Sequence, residues 1–314
     1  MKTITVFGDV MLDVWVTCSP VKVSPEAPVL VCRQESEKYS PGGAANVAAT
    51  LRSGFGLGVR LVGLQGNDAT HKHLIDALTA HGISTHYLVG MPGWRTIEKR
   101  RFIDPLGRHL LRLDTEFQVP AVPDYVQRNL NAQLHVESSE TGSLVISDYG
   151  KGTCTPALIR CAIQEFRDRG RYIVVNGKPE RFRYYQGANL LVYNLAEAKE
   201  AWAKFGDGGD PYEPSDLAGM LYKWLNTPGS RELTDILITC GDRGMVMWTA
   251  GGSRIAEAVP VAVADVCGAG DTVVATIAAF GRCDLDVMHD AAVNAAEVVS
   301  QHGTSICARK GLFE

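Results

Sequence analysis

A glycine-containing segment late in the chain has residue types suited to transferring a phosphoryl group to an alcohol. Residues 265–271 read Asp-Val-Cys-Gly-Ala-Gly-Asp, and the alanine-rich apolar stretch after them is typical of a buried helix. Gly268 and Gly270 let the backbone bend sharply and approach a ligand, and the free amides and dipole of a helix start attract an anion. Asp271 lies at that start, where a carboxylate can take a proton from an attacking hydroxyl. The alternative is that Asp271 only caps the helix, since Asp is a favoured capping residue.

The overall composition is that of a globular protein that can bury a sizeable core. The chain has 314 residues, of which 46% are hydrophobic and 21% are charged, and its net charge is −4. This balance gives no reason to expect nucleic acid or an anionic membrane as a partner. No apolar run approaches the roughly 20 residues of a membrane span, and the N-terminus lacks the pattern of a signal peptide. We therefore expect a cytoplasmic protein that forms a single domain over residues 1–314.

Strand-like segments that alternate with helix-like segments predict an α/β fold. Continuous apolar strands between helices indicate a central, mostly parallel sheet covered by helices on both faces, and ligands of such sheets bind at the carboxyl ends of the strands. The predicted strands are residues 3–7, 59–62, 143–147, 172–175, 189–193 and 235–239, and the predicted helices are residues 44–52, 71–80, 156–169, 196–204 and 215–225.

Two segments interrupt this alternation and predict a small second sheet. Residues 14–36 and 85–114 lack helical periodicity, and they carry strand-like runs at 29–32, 96–103 and 109–113 with Pro and Gly between the runs. We expect these segments to form a β-sheet lid that is inserted into the α/β body.

Two polar motifs near the N-terminus have side chains that could bind a polyol. Asp13 ends the motif Gly-Asp-Val-Met-Leu-Asp after the first predicted strand, and Asn46 lies in Pro-Gly-Gly-Ala-Ala-Asn at the start of the first predicted helix. Both side chains can hydrogen-bond hydroxyl groups, while Gly42 and Gly43 would let a ligand reach the backbone. The alternatives are a surface turn for Asp13 and a polar position in a helical first turn for Asn46.

Together these motifs strongly resemble the ribokinase (PfkB) family of sugar kinases, in order and over essentially the whole chain. Within the family, the resemblance is to the kinases of D-glycero-D-manno-heptose 7-phosphate, which often form the first half of a bifunctional kinase/adenylyltransferase. No His-x-Gly-His adenylyltransferase motif follows, so we expect the stand-alone kinase. The segments that carry the narrower resemblance are Gly-Asp-Val-Met-Leu-Asp at 8–13, Ser-Pro-Glu-Ala-Pro-Val at 24–29, Gly-Gly-Ala-Ala-Asn-Val-Ala at 42–48, Leu-Arg-Leu-Asp at 111–114, Ser-Asp-Tyr-Gly-Lys-Gly at 147–152 and Gly-Thr-Ser at 303–305.

The resemblance implies a ribokinase-like fold and a catalytic role for the late glycine segment. Asp271 would be the general base on the acceptor hydroxyl. The backbone amides of residues 267–270, among them Gly268, Ala269 and Gly270, would form the anion hole for the transferring phosphoryl group.

The resemblance also implies positions for ATP and magnesium. Asn194 and Glu197 match an Asn-x-x-Glu motif that organises Mg²⁺ through its bound waters; taken alone, the same pair would read as a solvated helix start. The nucleotide-binding residues would be Asn194, with Thr239, Gly241 and Gly244 in a Thr-x-Gly-x-x-Gly loop and Asn294 at the adenine pocket. A monovalent cation such as K⁺ is a further cofactor that the resemblance leaves open.

Several cationic residues are candidates for binding a phosphate on the acceptor. Lys99 and Arg101 are two positions apart on a predicted lid strand and therefore share a face. Lys151 follows the end of another predicted strand, close to Asp148, and we include all four among the substrate-binding residues. For Lys99 and Arg101 the alternative is a solvated edge strand whose charges prevent aggregation.

Three positions depart from the family pattern. Cys267 stands where the family usually has Thr or Ser, which a backbone anion hole should tolerate. Asn176 replaces the Asp of an Asp-Pro-Lys motif, and Val14 replaces an Arg. The last two changes leave the identity of the acceptor sugar open, but they do not affect the expectation of phosphoryl transfer.

We therefore expect an ATP- and Mg²⁺-dependent kinase that phosphorylates the anomeric hydroxyl of heptose 7-phosphate to the 1,7-bisphosphate, for nucleotide-heptose and surface polysaccharide synthesis. One alternative is a kinase of the same family for another sugar, a sugar acid or a nucleoside. A second is a catalytically weakened sugar-binding regulatory protein. The lid strands also suggest a homodimer formed through the lid.

Overall fold

A computed structural model describes residues 2–117, 121–206, 213–226 and 232–307. Within these ranges the strands are β1 (Thr3–Gly8), β2 (Val10–Val23), β3 (Leu30–Gly43), β4 (Gly58–Gln65), β5 (Leu88–Gly90), β6 (Ile97–Ile103), β7 (His109–Thr115), β8 (Ser143–Ser147), β9 (Tyr172–Asn176), β10 (Leu190–Asn194), β11 (Asp235–Thr239), β12 (Met245–Thr249) and β13 (Gly252–Ala256). The α-helices there are α1 (Ala44–Ala49), α2 (Ala69–Ala80), α3 (Asp124–Glu140), α4 (Pro156–Arg167), α5 (Leu195–Phe205), α6 (Pro214–Leu225), α7 (Ala269–Phe280) and α8 (Leu285–Val299).

The larger sheet has the order β13-β12-β11-β10-β9-β8-β1-β4-β5. Its strands pair in parallel except where β12 joins β11 and β13. All six strands predicted for this sheet are present, and the predicted mostly parallel architecture is confirmed. The carboxyl ends of β1, β8, β10 and β11 therefore lie along one edge of the sheet.

Helices cover both faces of this sheet because alternate residues of each strand enter opposite cores. In β8, Val145 packs in the core formed with α1 and α7, whereas Leu144 and Ile146 pack in the core formed with α3 and α4. All three side chains are fully buried, and this period of two is the geometry of an extended strand.

The local sequence explains why individual helices form where they do. Helix α4 begins after Thr155, whose hydroxyl accepts a hydrogen bond from the Leu158 amide, and Pro156 occupies its first turn. Its buried side chains recur at the spacing of one helical face.

Helix α3 and the β12–β13 hairpin were not among the predicted elements. Helix α3 buries Val126, Leu130 and Leu134 at intervals of four, but most of its other positions are polar. The apolar stripe is therefore too narrow to stand out in the sequence.

A second sheet has the order β3-β2-β6-β7, and it confirms the predicted small separate sheet. Its first two strands are longer than the predicted segment 14–36, since β2 and β3 pair from Val10 to Gly43. Strand β5 falls within the predicted segment 85–114 but pairs with β4 at the edge of the larger sheet. We call the sheet of β3, β2, β6 and β7 the lid sheet.

None of the helices formed by the described residues combines the length and the apolar character that a membrane-spanning helix needs.

Candidate active site

Asp271 lies in the first turn of α7, at the edge of the sheet where the parallel strands end. The helix begins after Gly268, whose φ of 84° lies in the left-handed region that favours glycine. The turn before it is closed by Asp265, whose Oδ1 accepts a hydrogen bond from the Cys267 amide at 2.9 Å. This turn directs the Asp271 carboxyl inward, where the residue is only 6% exposed.

Two side chains from distant parts of the chain hold the Asp271 carboxylate. Asn46 of α1 donates from Nδ2 to Oδ2 at 2.8 Å, and the hydroxyl of Tyr149 donates to Oδ1 at 2.6 Å. Burial raises the pKa of Asp271 to about 6, against the lowering effect of these two hydrogen bonds; Asp13 raises it further and Lys99 lowers it. Asp271 is therefore ionised at neutral pH, yet basic enough to accept a proton.

A polar cleft connects Asp271 with the ends of β9, β10 and β11. Its lining residues come from the loops and strand ends at this edge of the sheet: Asp148, Tyr149, Asn176, Lys178, Val192, Tyr193, Asn194, Glu197, Thr239, Gly268, Gly270 and Asp271. The predicted base, part of the predicted anion hole and three of the predicted nucleotide and metal positions thus share one cleft.

The four amides predicted as an anion hole are not equivalent. The Cys267 amide already donates to Asp265, and the Ala269 amide makes a long 3.4 Å contact with the carbonyl of Val266. Gly268 and Gly270 line the cleft. A Cβ built on Gly270 would meet no atom within 4 Å, so its backbone faces open space. Of these four residues, Gly268 and Gly270 are therefore the two that line the cleft.

Asp13 and Arg101 form a buried ion pair beside Asp271. The Arg101 Nη1 atom lies 2.7 Å from Asp13 Oδ1, and both residues are 7% exposed. The guanidinium also lies over the ring of Trp15, 4.9 Å from its centroid. A Cβ at Gly42 would lie 3.0 Å from the Asp13 carboxyl carbon, so a larger residue at this position would crowd the carboxylate.

Gly43 and Asp148 have structural partners of their own. Gly43 has a φ of 58° and immediately precedes α1, whose first amide, that of Ala44, donates to the carbonyl of Asp9. Asp148 is 1% exposed and accepts hydrogen bonds from Arg181 at 2.5 Å and from the Tyr185 hydroxyl at 2.7 Å. Although it lines the cleft, its carboxylate anchors the 3₁₀ segment Pro179–Tyr185.

The other two predicted phosphate-binding cations differ in their surroundings. Lys151 pairs with Glu116 near the surface. Lys99 has no ion pair with any described residue, and its Nζ lies 5.1 Å from the centroid of the Tyr149 ring. Burial lowers the pKa of Lys99, and the nearby Asp13 partly offsets that effect.

The predicted magnesium pair forms a capping box at the start of α5. Asn194 Oδ1 accepts from the Glu197 amide at 2.9 Å, and the Asn194 amide donates to Glu197 Oε2 at 3.2 Å. Lys178 Nζ lies 2.7 Å from the other carboxylate oxygen. The solvated helix start considered as an alternative is thus present, and it opens onto the cleft.

The predicted nucleotide loop lies beside Asn194 and Glu197, whereas Asn294 lies between α7 and α8. Thr239 pairs with Asn194 in adjacent strands. Gly244 has a φ of 76°, and a Cβ there would come within 2.1 Å of the Ala256 carbonyl. Asn294, by contrast, is 2% exposed between α7 and α8, where its amide donates to Thr276 at 3.1 Å. The structure does not place it in the cleft lining.

Asp9 and Tyr149 were not singled out from the sequence. Asp9 is fully buried, and its carboxylate accepts hydrogen bonds from the amides of Tyr149, Lys151 and Thr153, each at 2.9 Å. Burial raises the pKa of Asp9, as does the neighbouring Asp148, while the three amide bonds lower it. The available signal was that both residues belong to the segments 8–13 and 147–152.

Comparison with solved structures shows a shared fold. Phosphofructokinase-2 from Escherichia coli, solved with substrates and products, superposes with a TM-score of 0.75 at 16% identity, covering 98% of this chain and 96% of that one. A ribokinase from Arabidopsis thaliana, solved with ribose and ATP, gives a TM-score of 0.69 at 17% identity, with coverage of 98% and 96%. The predicted ribokinase-like fold is confirmed.

Comparison at the level of sequence shows the family. The bifunctional proteins HldE of Gluconobacter oxydans and Magnetococcus marinus are 34% and 33% identical to this chain over 98% and 97% of its length. The chain spans only 63% and 62% of those relatives. The sequence model described as pfkB family carbohydrate kinase matches residues 1–310. The chain thus belongs to the pfkB family of carbohydrate kinases, and it is a phosphotransferase that acts on an alcohol group.

Proposed function

We propose that this kinase transfers the γ-phosphoryl group of ATP to the anomeric hydroxyl of D-glycero-D-manno-heptose 7-phosphate, giving the 1,7-bisphosphate. The observation that carries the proposal is the buried Asp271 carboxylate, held by Asn46 and Tyr149 at a helix start whose glycines line the same cleft. The HldE relatives and the motifs shared with heptose kinases support the choice of acceptor. With ATP as donor, the reaction would take place in the cytoplasm and supply nucleotide-heptose synthesis for surface polysaccharide.

The chemistry assigned to Asp271 is removal of the acceptor proton. The acceptor oxygen forms a bond to the γ-phosphorus while the bond from that phosphorus to the β–γ bridging oxygen breaks. The hydroxyl proton passes to Asp271, and ADP leaves. Charge that develops on the phosphoryl oxygens would be stabilised by the Gly268 and Gly270 amides, and loss of one such donor typically costs about 3 kcal/mol in the transition state.

The lid face beside Asp271 is the proposed acceptor site. Asp13 and Asn46 would form hydrogen bonds with sugar hydroxyls. Lys99 is the cation best placed for a phosphate, because no carboxylate of a described residue forms an ion pair with it. Arg101 would contribute less to phosphate binding, since Asp13 already balances its charge.

Magnesium fits the donor atoms at the opposite end of the cleft. The side chains of Asn194, Glu197 and Asn176 supply oxygen donors, which Mg²⁺ prefers, and Mg²⁺ commonly keeps several waters. No group of three or more His, Cys, Asp or Glu side chains in the described ranges could hold a metal directly, which agrees with a site that relies on water and nucleotide. Bound Mg²⁺ would neutralise charge on the phosphates.

We further propose a homodimer that forms through the lid sheet. Its two edge strands, β3 and β7, expose Leu30 and Leu111, which are 56% and 58% accessible. Unpaired strand edges with exposed apolar side chains favour association with another chain.

A second candidate keeps the reaction but uses an acceptor without a phosphate. It is favoured by the pairing of Arg101 with Asp13 and of Lys151 with Glu116, because this leaves only Lys99 of the three predicted cations without an ion pair among the described residues.

The test is a coupled assay of ADP release over a panel of sugars and sugar phosphates, with Mg²⁺ and K⁺ present. We expect the highest kcat/KM for heptose 7-phosphate, with ³¹P NMR showing a second phosphate on the anomeric carbon. A higher kcat/KM for an unphosphorylated sugar would support the second candidate. If no compound of the panel supports ADP release, both candidates are contradicted.

A further inference from the structure

Within the part of the chain that the structure describes, Tyr149 is the aromatic residue that hydrogen-bonds the carboxylate of the proposed base. Its hydroxyl donates to Asp271 Oδ1 at 2.6 Å, a length typical of a hydrogen bond to a charged oxygen. Asn46 occupies the other carboxylate oxygen. A carboxylate has about four acceptor positions, so both bonds can persist while Asp271 accepts a third hydrogen bond from the substrate hydroxyl.

The structure fixes Tyr149 from both its backbone and its ring. Its amide donates to the fully buried Asp9, which also binds the amides of Lys151 and Thr153 and so holds the whole loop after β8. On the ring, the Nζ atoms of Lys99 and Lys178 lie 5.1 and 5.7 Å from the centroid. Cations at this distance from an aromatic ring attract it, so the ring is held between the lid sheet and the proposed nucleotide end of the cleft.

We propose that Tyr149 is a positioning residue for phosphoryl transfer, whose phenol keeps the Asp271 carboxylate ionised and oriented toward the acceptor hydroxyl. This inference rests on the proposed role of Asp271 as the base. It adds a residue that acts through Asp271 and does not itself exchange a proton with the substrate.

The charges around Asp271 give this role a measurable sign. Burial and Asp13 of β2 raise the pKa of Asp271, whereas Tyr149, Asn46 of α1 and Lys99 of β6 lower it. Burial raises the pKa of Tyr149 well above its ordinary value, so the phenol remains a donor. Removal of the phenol therefore raises the pKa of Asp271 above about 6, and a larger share of the base becomes protonated in weakly acidic solution.

The test compares the pH dependence of kcat/KM for the acceptor in the wild type and in Tyr149→Phe. The wild-type acid limb should have its midpoint near pH 6. In the variant we expect the midpoint to rise by about one pH unit. At pH 6 the kcat/KM of the variant, relative to the wild type, should therefore be roughly fivefold lower than at pH 8.5, where Asp271 is ionised in both proteins. Tyr149→Leu, which also lacks the donor, should shift the limb in the same direction.

Tyr185→Phe is the matched control, since it removes a phenol that donates to a different buried carboxylate, that of Asp148. Its acid limb should keep the wild-type midpoint, and thermal melting confirms that each variant is folded. An unmoved limb in folded Tyr149→Phe, or an equal shift in Tyr185→Phe, overturns the inference. Asp271→Asn separates this failure from a failure of the proposed function. If either overturning result is found and Asp271→Asn has no turnover, only the role of Tyr149 is wrong. If Asp271→Asn remains active, the proposed base itself is wrong.

Discussion

The pairing of individual charges decides which side chains near Asp271 can act on a ligand. Lys99, Arg101 and Lys151 look alike in the sequence, but Arg101 is neutralised by buried Asp13 and Lys151 by Glu116. Lys99 lies over the face of the Tyr149 ring and feels the charges of Asp13 and Asp114 on the neighbouring strands, but it forms no ion pair with a described residue. A phosphate bound there would gain a charge interaction that needs no existing ion pair to break.

Lys99→Met should therefore weaken binding of a phosphorylated acceptor. The substitution removes the charge and keeps most of the length of the side chain, so we expect KM for the sugar phosphate to rise by about tenfold, equivalent to about 1.4 kcal/mol. KM for ATP should stay within about twofold, because Lys99 belongs to the lid sheet.

Lys151→Met serves as the comparison, since its partner Glu116 would have to be displaced before the lysine could bind a phosphate. Its effect on the same KM should be smaller. Equal KM values for wild type and Lys99→Met would remove Lys99 from the acceptor site.

Single residues were predictable where a local motif surrounds them and not where tertiary contacts define them. Asp271 was identified because glycines and a helix start adjoin it in sequence. Tyr149 and Asn46 meet it from positions 122 and 225 residues away, and no local pattern encodes that meeting. Asn294 was assigned to the nucleotide by resemblance alone, and its side chain lies between two helices.

At the scale of elements, the lid sheet combines a ligand-facing side with unprotected edges. Asp13, Lys99 and Asp114 are in register across β2, β6 and β7, so one face carries alternating charge beside the cleft. The far ends of β2 and β3 instead carry exposed Val21, Val23 and Leu30.

Leu30→Asp should weaken the proposed dimer by placing a charge on the exposed edge strand. We expect the wild type to sediment as a dimer at micromolar concentration and the variant to shift toward monomer. Leu285→Asp, on α8 at a position that is 48% exposed, provides a control with the same change of charge and should leave the mass unchanged. A monomeric wild type, or equal masses for all three proteins, would rule out this interface.

Elements with strong periodicity could be predicted from the sequence, and those with weak periodicity could not. The buried strands β8 and β11 each have three consecutive apolar residues at their centre, and β1 alternates Thr with Ile and Val; all three strands were predicted to within one residue. The pairing of β5 with the larger sheet depends on where a short segment packs, so its three residues were assigned to the lid sheet instead.

For the whole molecule, the order of the strands explains why distant motifs meet. The parallel strands β1, β8, β9 and β10 all end at one edge, and α7 begins against it. The segment after each strand therefore brings its side chains to the same cleft, as expected for an open α/β sheet. The sequence predicted this edge as the site, but not the network from Asp9 through Tyr149 to Asp271.

The most direct test of the account is turnover of Asp271→Asn under conditions where acceptor binding is measured separately. The variant keeps the size of the side chain but cannot take the acceptor proton. We predict that kcat falls by at least ~100-fold, while calorimetry gives an acceptor Kd within about threefold of the wild type, because Asp271 acts mainly on the reacting proton. A folded variant that retains near-wild-type kcat would contradict the proposed mechanism.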